Sequence, residues 1–427
     1  MPWFIERLDF QDPDSAVSET LEHILELFPS LLQRQHLALL AQKFASPWAE
    51  SLTGKAEGWF DEDKLANFTN LITSYGNIVI EDILVLRDEN SRKIGDILFK
   101  LIENTGSPGV QDMVAPTALG FWMSYVEFVQ NIDRDFADKK EPGWMKRAYG
   151  RIFDLVWICW SKIQWPLDGS ADTWDSEEIM RFKAFRTDVQ DLVQTTYIVF
   201  GVELLNQFVE KAIALQGTGS WAQIEACLFM LNALVDSSAP HEFFTNSTLS
   251  VLFSSRLFTE NDEAWDVIKL KRARLRMISL YTNFFEERPE HLPPVLNYLF
   301  RSLQDPEVDT MAAQAIFTIC SACREALIPE LSNFLQLYLA LLLDHDSKTE
   351  VKGKQLSALK LRPFRGLLVC SACKLVLILL SREVDGCNGV DNSSFAFRRR
   401  QRRASESLDR SREFQLYLWG GDFAKGQ

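Results

Sequence analysis

Between Trp174 and Val235 the sequence sets out three amphipathic helices joined by short turns, with no strand pattern between them. Trp174-Asp175-Ser176-Glu177-Glu178 reads as a helix start. Asp175 or Ser176 offers an oxygen to the free backbone N–H groups, and Glu177 and Glu178 lie at the positive end of the helix dipole. Phe182, Phe185, Val189, Leu192 and Val193 then share one helical face. After Gly201 the pattern returns with Leu204, Leu205, Phe208, Val209, Ala212 and Ile213. A turn at Gly217-Thr218-Gly219-Ser220 leads into a third run, Trp221 to Leu231. Each such helix is too narrow to bury its apolar stripe by itself, so the segment predicts stacked antiparallel helices that cover one another.

The same rhythm runs through most of the chain. Residues 15–45 read as two helices meeting at Pro29, and 61–74 with 77–86 as another pair. Ile94 to Ile102 is a further helix, closed by Asn104-Thr105-Gly106-Ser107-Pro108-Gly109. Ala115 to Phe136 predicts a long aromatic-rich helix. Trp144 to Ile163 is read as its antiparallel partner, with Tyr149, Phe153, Val156, Trp157 and Trp160 facing it. Glu263 to Phe285 predicts one long helix, broken by Pro289, Pro293 and Pro294, and helical runs continue to Leu343. The helix pairs recur about every forty residues, the period of HEAT-type repeats. The expected fold is all-α, a right-handed α-α superhelix of ARM/HEAT-like repeats.

Near Asp344 the character changes. Residues 344–362 are polar and Lys-rich, 385–397 are rich in Gly, Asn and Ser, and a basic run Arg398-Arg399-Arg400-Gln401-Arg402-Arg403 precedes Ala404-Ser405. The charge divides at the same point. Residues 344–427 hold 16 Lys/Arg against 10 Asp/Glu, a balance of +6, which leaves −20 on residues 1–343 out of the net −14. The expected organisation is a helical-repeat solenoid over 1–343 and a divergent, largely disordered basic tail over 344–427. An acidic body argues against direct nucleic-acid binding and for basic protein partners, although acidity also serves solubility alone. The basic run reads either as a nuclear-localisation or nucleic-acid patch with a kinase site at Ser405 or as a chance run in a polar tail.

The sequence offers little catalytic chemistry. His23, His36, His241, His291 and His345 are far apart and read as surface or capping residues. No G-x-S-x-G elbow, phosphate-binding G-x-x-x-x-G-K-[ST] loop or H-E-x-x-H helix occurs. Cys-Ser-Ala-Cys occurs at 320–323 and again at 370–373, too far apart for usual zinc-ribbon spacing and flanked by apolar residues, so the seven cysteines read as reduced, buried thiols. No apolar stretch has membrane-spanning length; the nearest, Leu367 to Leu380, is broken by Lys374. Neither a cofactor nor an enzymatic activity is expected. The one concentration of polar groups is Asp172, Trp174, Asp175, Glu177 and Glu178, beside Trp165. It reads either as a solvated helix start or as an acidic and aromatic loop offered to a basic ligand. Arg186 and Asp188 are expected to pair between helices and hold the stack.

Several of these residues also carry a resemblance. Phe185, Arg186, Asp188, Val189 and Asp191, then Gly201, Glu203, Leu204 and Leu205, then Trp221, Glu225, Ala226 and Leu228 resemble, in order and spacing, the middle of importin-13-type receptors of the importin-β (karyopherin-β) superfamily. Leu119-Gly120-Phe121-Trp122-Met123 is similar to a helix of the same family. The likeness covers roughly residues 1–343 and is strongest over 115–236. It implies a non-enzymatic nuclear transport receptor that carries protein cargo through nuclear pores and shuttles between nucleus and cytoplasm. The partners it implies are protein cargo, the Ran GTPase as the switch and Phe-Gly nucleoporins. The family begins with Ran-binding repeats and continues beyond the point where this sequence diverges, so the resemblance implies a central portion. On this reading Asp172, Trp174, Asp175, Glu177 and Glu178 are the expected cargo contacts. The alternative is a helical-repeat scaffold outside transport.

Overall fold

The computed structural model describes residues 2–7, 16–47, 49, 62–136, 143–235, 247–259 and 266–327. The expected helix at Leu331–Leu343 and the basic tail lie outside these residues. In chain order the first helices are α1 (Pro2–Arg7), α2 (Ala16–Leu27), α3 (Arg34–Phe44), α4 (Glu62–Ile78), α5 (Ile80–Val85) and α6 (Glu89–Ile102). Next come α7 (Val114–Phe136), α8 (Met145–Lys162), α9 (Ser176–Phe200), α10 (Val202–Ala214), α11 (Trp221–Leu234) and α12 (Ser247–Phe253). The last are α13 (Arg256–Thr259), α14 (Ile268–Leu280), α15 (Thr282–Glu287), α16 (Leu292–Ser302), α17 (Asp309–Ala322) and α18 (Arg324–Leu327). No strand occurs among the described residues.

The helices form two layers. Helices α2, α4, α7, α9, α11, α14 and α17 pack side by side in that order as the first layer. Behind them lie α1, α3, α6, α8, α10, α12 with α13, and α16. Each repeat is a second-layer helix followed by a first-layer helix, as in α6–α7, α10–α11 and α16–α17. This all-α helical-repeat solenoid is the fold the apolar periodicity predicts.

Four local expectations are corrected. The partner of α7 within its repeat is the preceding helix α6, not α8. The Trp122 indole of α7 reaches back to α6 and donates to the Leu98 carbonyl at 3.2 Å. The aromatics of α8 turn the other way: Tyr149 and Phe153 meet Phe200 at the end of α9 at 5.9 and 6.3 Å, and Trp157 meets Phe208 of α10, in the next repeat, at 5.4 Å. Residues 62–78 are one helix, and the break falls at Val79. The helix expected over Glu263–Phe285 is interrupted at Tyr281, which leaves helical geometry (φ −90°, ψ 31°) and separates α14 from α15. Its fully buried ring packs on Phe253, and its hydroxyl donates to the Leu231 carbonyl of α11 at 2.8 Å. A tertiary hydrogen bond and ring burial outweigh one turn of local helix. Pro293 and Pro294 do not end a helix here; they open α16, where a missing N–H costs nothing.

Buried polar groups lock one repeat to the next. Asp112, fully buried in the loop before α7, accepts from the Val114 and Ala115 N–H groups at 3.0 and 3.1 Å and from the Asn104 amide at 2.9 Å. Its other oxygen pairs with Lys162 of α8, whose ammonium also donates to the Asn104 carbonyl. The loop then touches α9. Gly109 (φ +74°) lies so near the Arg181 backbone that a Cβ would stand 2.9 Å from the Arg181 Cβ, and the Arg181 Nε donates to the Gly109 carbonyl at 2.7 Å.

Trp122 is fully buried against Phe99, Phe121 and Tyr125. Trp122→Ala should cost about 3–5 kcal/mol in urea unfolding. Met180→Ala, at an exposed site on α9, should stay within about 0.5 kcal/mol.

Candidate functional site

A first-layer helix has neighbours of its own layer on both flanks and the second layer behind it, so its remaining stripe faces solvent. On α9 that stripe exposes Glu177, Met180, Lys183, Ala184, Thr187, Asp188, Asp191 and Ile198. Burial and the neighbouring charge of Asp191 both push the Asp188 carboxyl upward. On α14 it exposes Arg272 and Arg276. Between them α11 has no fully exposed residue: Trp221 and Phe229 are half-buried and Glu225 is buried, and the three follow one another at every fourth position.

The N-terminus of α11 is fixed by a reciprocal cap. Ser220 Oγ accepts from the Gln223 N–H at 3.3 Å, and the Gln223 side chain accepts from the Ser220 N–H at 3.0 Å. Trp221 therefore stands at the first helical position, with Glu225 one turn on. Arg186 reaches over from α9 and grips Glu225 with both guanidinium nitrogens, at 2.7 and 3.1 Å, while donating to the Ile163 carbonyl at 2.6 Å. Both side chains are over nine-tenths buried. The guanidinium lies 4.2 Å from the Phe229 ring centre and 5.5 Å from that of Trp165. From α14, the Lys269 ammonium stands 4.4 Å from the Trp165 ring centre and 5.8 Å from that of Trp221. Burial pushes the Glu225 carboxyl upward, and the charges of Arg186 and then Lys269 oppose that rise. Three consecutive first-layer helices thus meet in a cluster of two cations, one carboxylate and three aromatic rings.

The residues singled out from sequence sit beside this cluster. Trp174 is buried, with its ring centre 6.2 Å from Trp165 and 5.2 Å from Phe182. Asp175 is the cap of α9: it accepts from the Glu177 and Glu178 N–H groups at 2.8 Å, and Glu178 accepts from the Asp175 N–H at 2.8 Å. Glu177 pairs with Arg181 at 2.8 Å. Asp172 is exposed in a 3-10 turn. Asp175 and Glu178 are therefore engaged in the helix start, while Asp172 and Glu177 present carboxylates outward.

Arg186 does hold neighbouring helices together, but its partner is Glu225, and Asp188 points to solvent. Lys269, Phe229 and the carboxylate role of Glu225 escape a reading of local sequence. The fourfold spacing of Trp221, Glu225 and Phe229 was the available signal. His36 is the expected capping residue, accepting from the Gln33 N–H at 3.1 Å. Cys320 and Cys323 are buried thiols, both pushed up to about 12 by burial; the 370–373 pair and the Ser405 run lie outside the described residues. Among the described residues no three His, Cys, Asp or Glu side chains are placed to hold a metal ion, and no helix is long and apolar enough to cross a membrane.

Removing one member of a buried ion pair leaves the other charge uncompensated. Glu225→Met or Arg186→Met alone should cost about 3–5 kcal/mol, whereas the double replacement Arg186→Met with Glu225→Met should recover most of that loss. Urea unfolding of both single variants and the double variant measures the coupling.

Comparison with known proteins agrees with this architecture. Residues 267–337 match the Transportin-3/Importin-13 third TPR domain, downstream of the stretch on which the resemblance is strongest by motif. The importin beta-like protein kap111 of Schizosaccharomyces pombe is 22% identical over 352 residues, covering 78% of this chain and 35% of that protein. Importin-13 of Homo sapiens is 23% identical over 252 residues, covering 57% of this chain and 25% of that protein. A solved structure of importin-13 in its cytosolic state superposes with a TM-score of 0.67 at 19% identity, covering 87% of this chain and 41% of that one. The chain spans about a quarter to a third of the length of the curated relatives it matches. In sequence and in fold the chain is similar to importin-β-like helical-repeat proteins.

Proposed function

We propose that this chain serves in a nuclear transport receptor that carries basic protein cargo through nuclear pores under the control of Ran-GTP, shuttling between nucleus and cytoplasm. The observation that carries the reading is the match to kap111 across 78% of the chain, on a two-layer helical solenoid. The relatives are importins rather than enzymes, and the same match disfavours a scaffold outside transport. The balance of −20 over residues 1–343 suits a basic cargo. Asp172 and Glu177, with Asp188 and Asp191 along the same face, supply outward carboxylates for it; Trp174, Asp175 and Glu178 act by fixing the loop that presents them. Phe-Gly nucleoporin segments are expected in apolar grooves between neighbouring helices. The division into a solenoid over 1–343 and a basic tail over 344–427 belongs to the same proposal.

Mechanistically, nearest-neighbour contacts let a solenoid change curvature by small adjustments at many helix interfaces. A ligand that prefers one curvature shifts the population away from the one another ligand needs. Ran-GTP and cargo would oppose each other in this way.

Capture on Ran loaded with GTP or with GDP tests the proposal, using the chain alone and the chain joined behind the preceding repeats of kap111. Selective capture by the GTP form, in either format, is the expected result. Equal indifference of both formats to Ran-GTP would favour the scaffold reading.

A further inference from the structure

On the solvent face of the central repeats a lysine of the chain occupies an aromatic cage. Lys269 of α14 holds its ammonium between the Trp165 and Trp221 rings, at 4.4 and 5.8 Å from their centres. Glu225 is buried nearby with both oxygens held by Arg186, and Lys269 acts on it by charge rather than by a direct ion pair. Trp165, Trp221 and Lys269 are each only partly buried, so the cage opens to solvent. The residues come from three separate segments, the loop after α8, helix α11 and helix α14, and each of the last two is anchored by its own packing. Two indole faces and a carboxylate form a site for a primary ammonium or a guanidinium. The Lys269 contact is therefore an internal example of the ligand chemistry that this surface accepts.

We infer that the Trp165–Trp221–Glu225 cage is a binding site for a Lys or Arg side chain of a basic polypeptide partner, and that Lys269 is a resident plug which such a side chain displaces. The inference rests on the proposed basic-cargo reading for the identity of the partner. Asp188 and Asp191 are exposed on the neighbouring α9 beside Lys183, and Arg272 and Arg276 are exposed on α14, so the pull on an incoming cation comes from the −20 carried by residues 1–343 as a whole. Lys269 is tethered to α14 and leaves by rotating its flexible stem, whereas Arg186 is held at both ends and stays.

Octa-arginine binding to the full chain, read by tryptophan fluorescence and by calorimetry with octa-glutamine as control, tests the inference. Lys269→Met removes the plug and keeps the apolar stem. It should tighten octa-arginine binding about threefold to tenfold. Arg276→Met removes the same charge elsewhere on α14 and should change binding by less than about twofold, because an exposed charge is screened. Trp221→Leu combined with Lys269→Met should abolish the gain. Thermal melting identifies any misfolded variant, and Lys269→Gln replaces Lys269→Met if the latter melts early. The inference is overturned if Arg276→Met matches Lys269→Met, if the gain survives loss of Trp221, or if no variant binds octa-arginine. Equal binding by all variants would remove the cage but leave the basic-cargo reading intact, whereas indifference to Ran-GTP would remove the transport reading whatever the cage does.

Discussion

Everything in this molecule follows from the inability of one amphipathic helix to bury its own apolar stripe. Helix α11 shows the consequence in its extreme form. Flanked by α9 and α14 and backed by α10, it has no fully exposed residue. Its neighbours are the source of its stability, and it is the source of theirs. Such contacts are local in the stack, so the chain is held by a succession of similar interfaces rather than by one central core.

Apolar packing alone would allow neighbouring helices to slide, and the buried polar contacts fix their register. Lys162 and Asp112 tie α8 to the loop before α7, Arg186 and Glu225 tie α9 to α11, and the Tyr281 hydroxyl ties the end of α14 to α11. Each is directional, and each leaves a buried charge or carbonyl unsatisfied if the helices shift. The same groups shape the solvent face. Arg186 reaches Glu225 only by lying across α11, and in doing so it brings Phe229 and Trp165 around the carboxylate that Lys269 also approaches. Structural locking and a candidate recognition surface are here one set of residues.

Helix existence was legible in the sequence because the apolar period is set by helix geometry, and the Asp175 cap was legible because capping is local chemistry. The division at Tyr281 was not, since its cause is a carbonyl fifty residues upstream, at Leu231. Nor was the pairing of the hairpins: the aromatic face of α8 states that it must be covered but not by which neighbour, and Phe200 and Phe208 cover it. The candidate cage was hidden for the same reason. Trp165, Trp221 and Lys269 belong to three segments whose adjacency exists only once the layer is stacked. Motif spacing pointed to the acidic loop that adjoins the cage. It also named Arg186 as a residue that holds the stack, though with Asp188 in place of its true partner Glu225.

The central claim is that the first-layer face around α11 is where a basic partner sits. Hydroxyl-radical footprinting of the full chain with and without protamine, an arginine-rich probe, tests it most directly. The account predicts that labelling of Trp165 and Trp221 falls on binding, while Trp157 and Tyr149 on the second-layer helix α8 are labelled as before. Protection confined to Trp157 and Tyr149, with Trp165 and Trp221 unchanged, would contradict it.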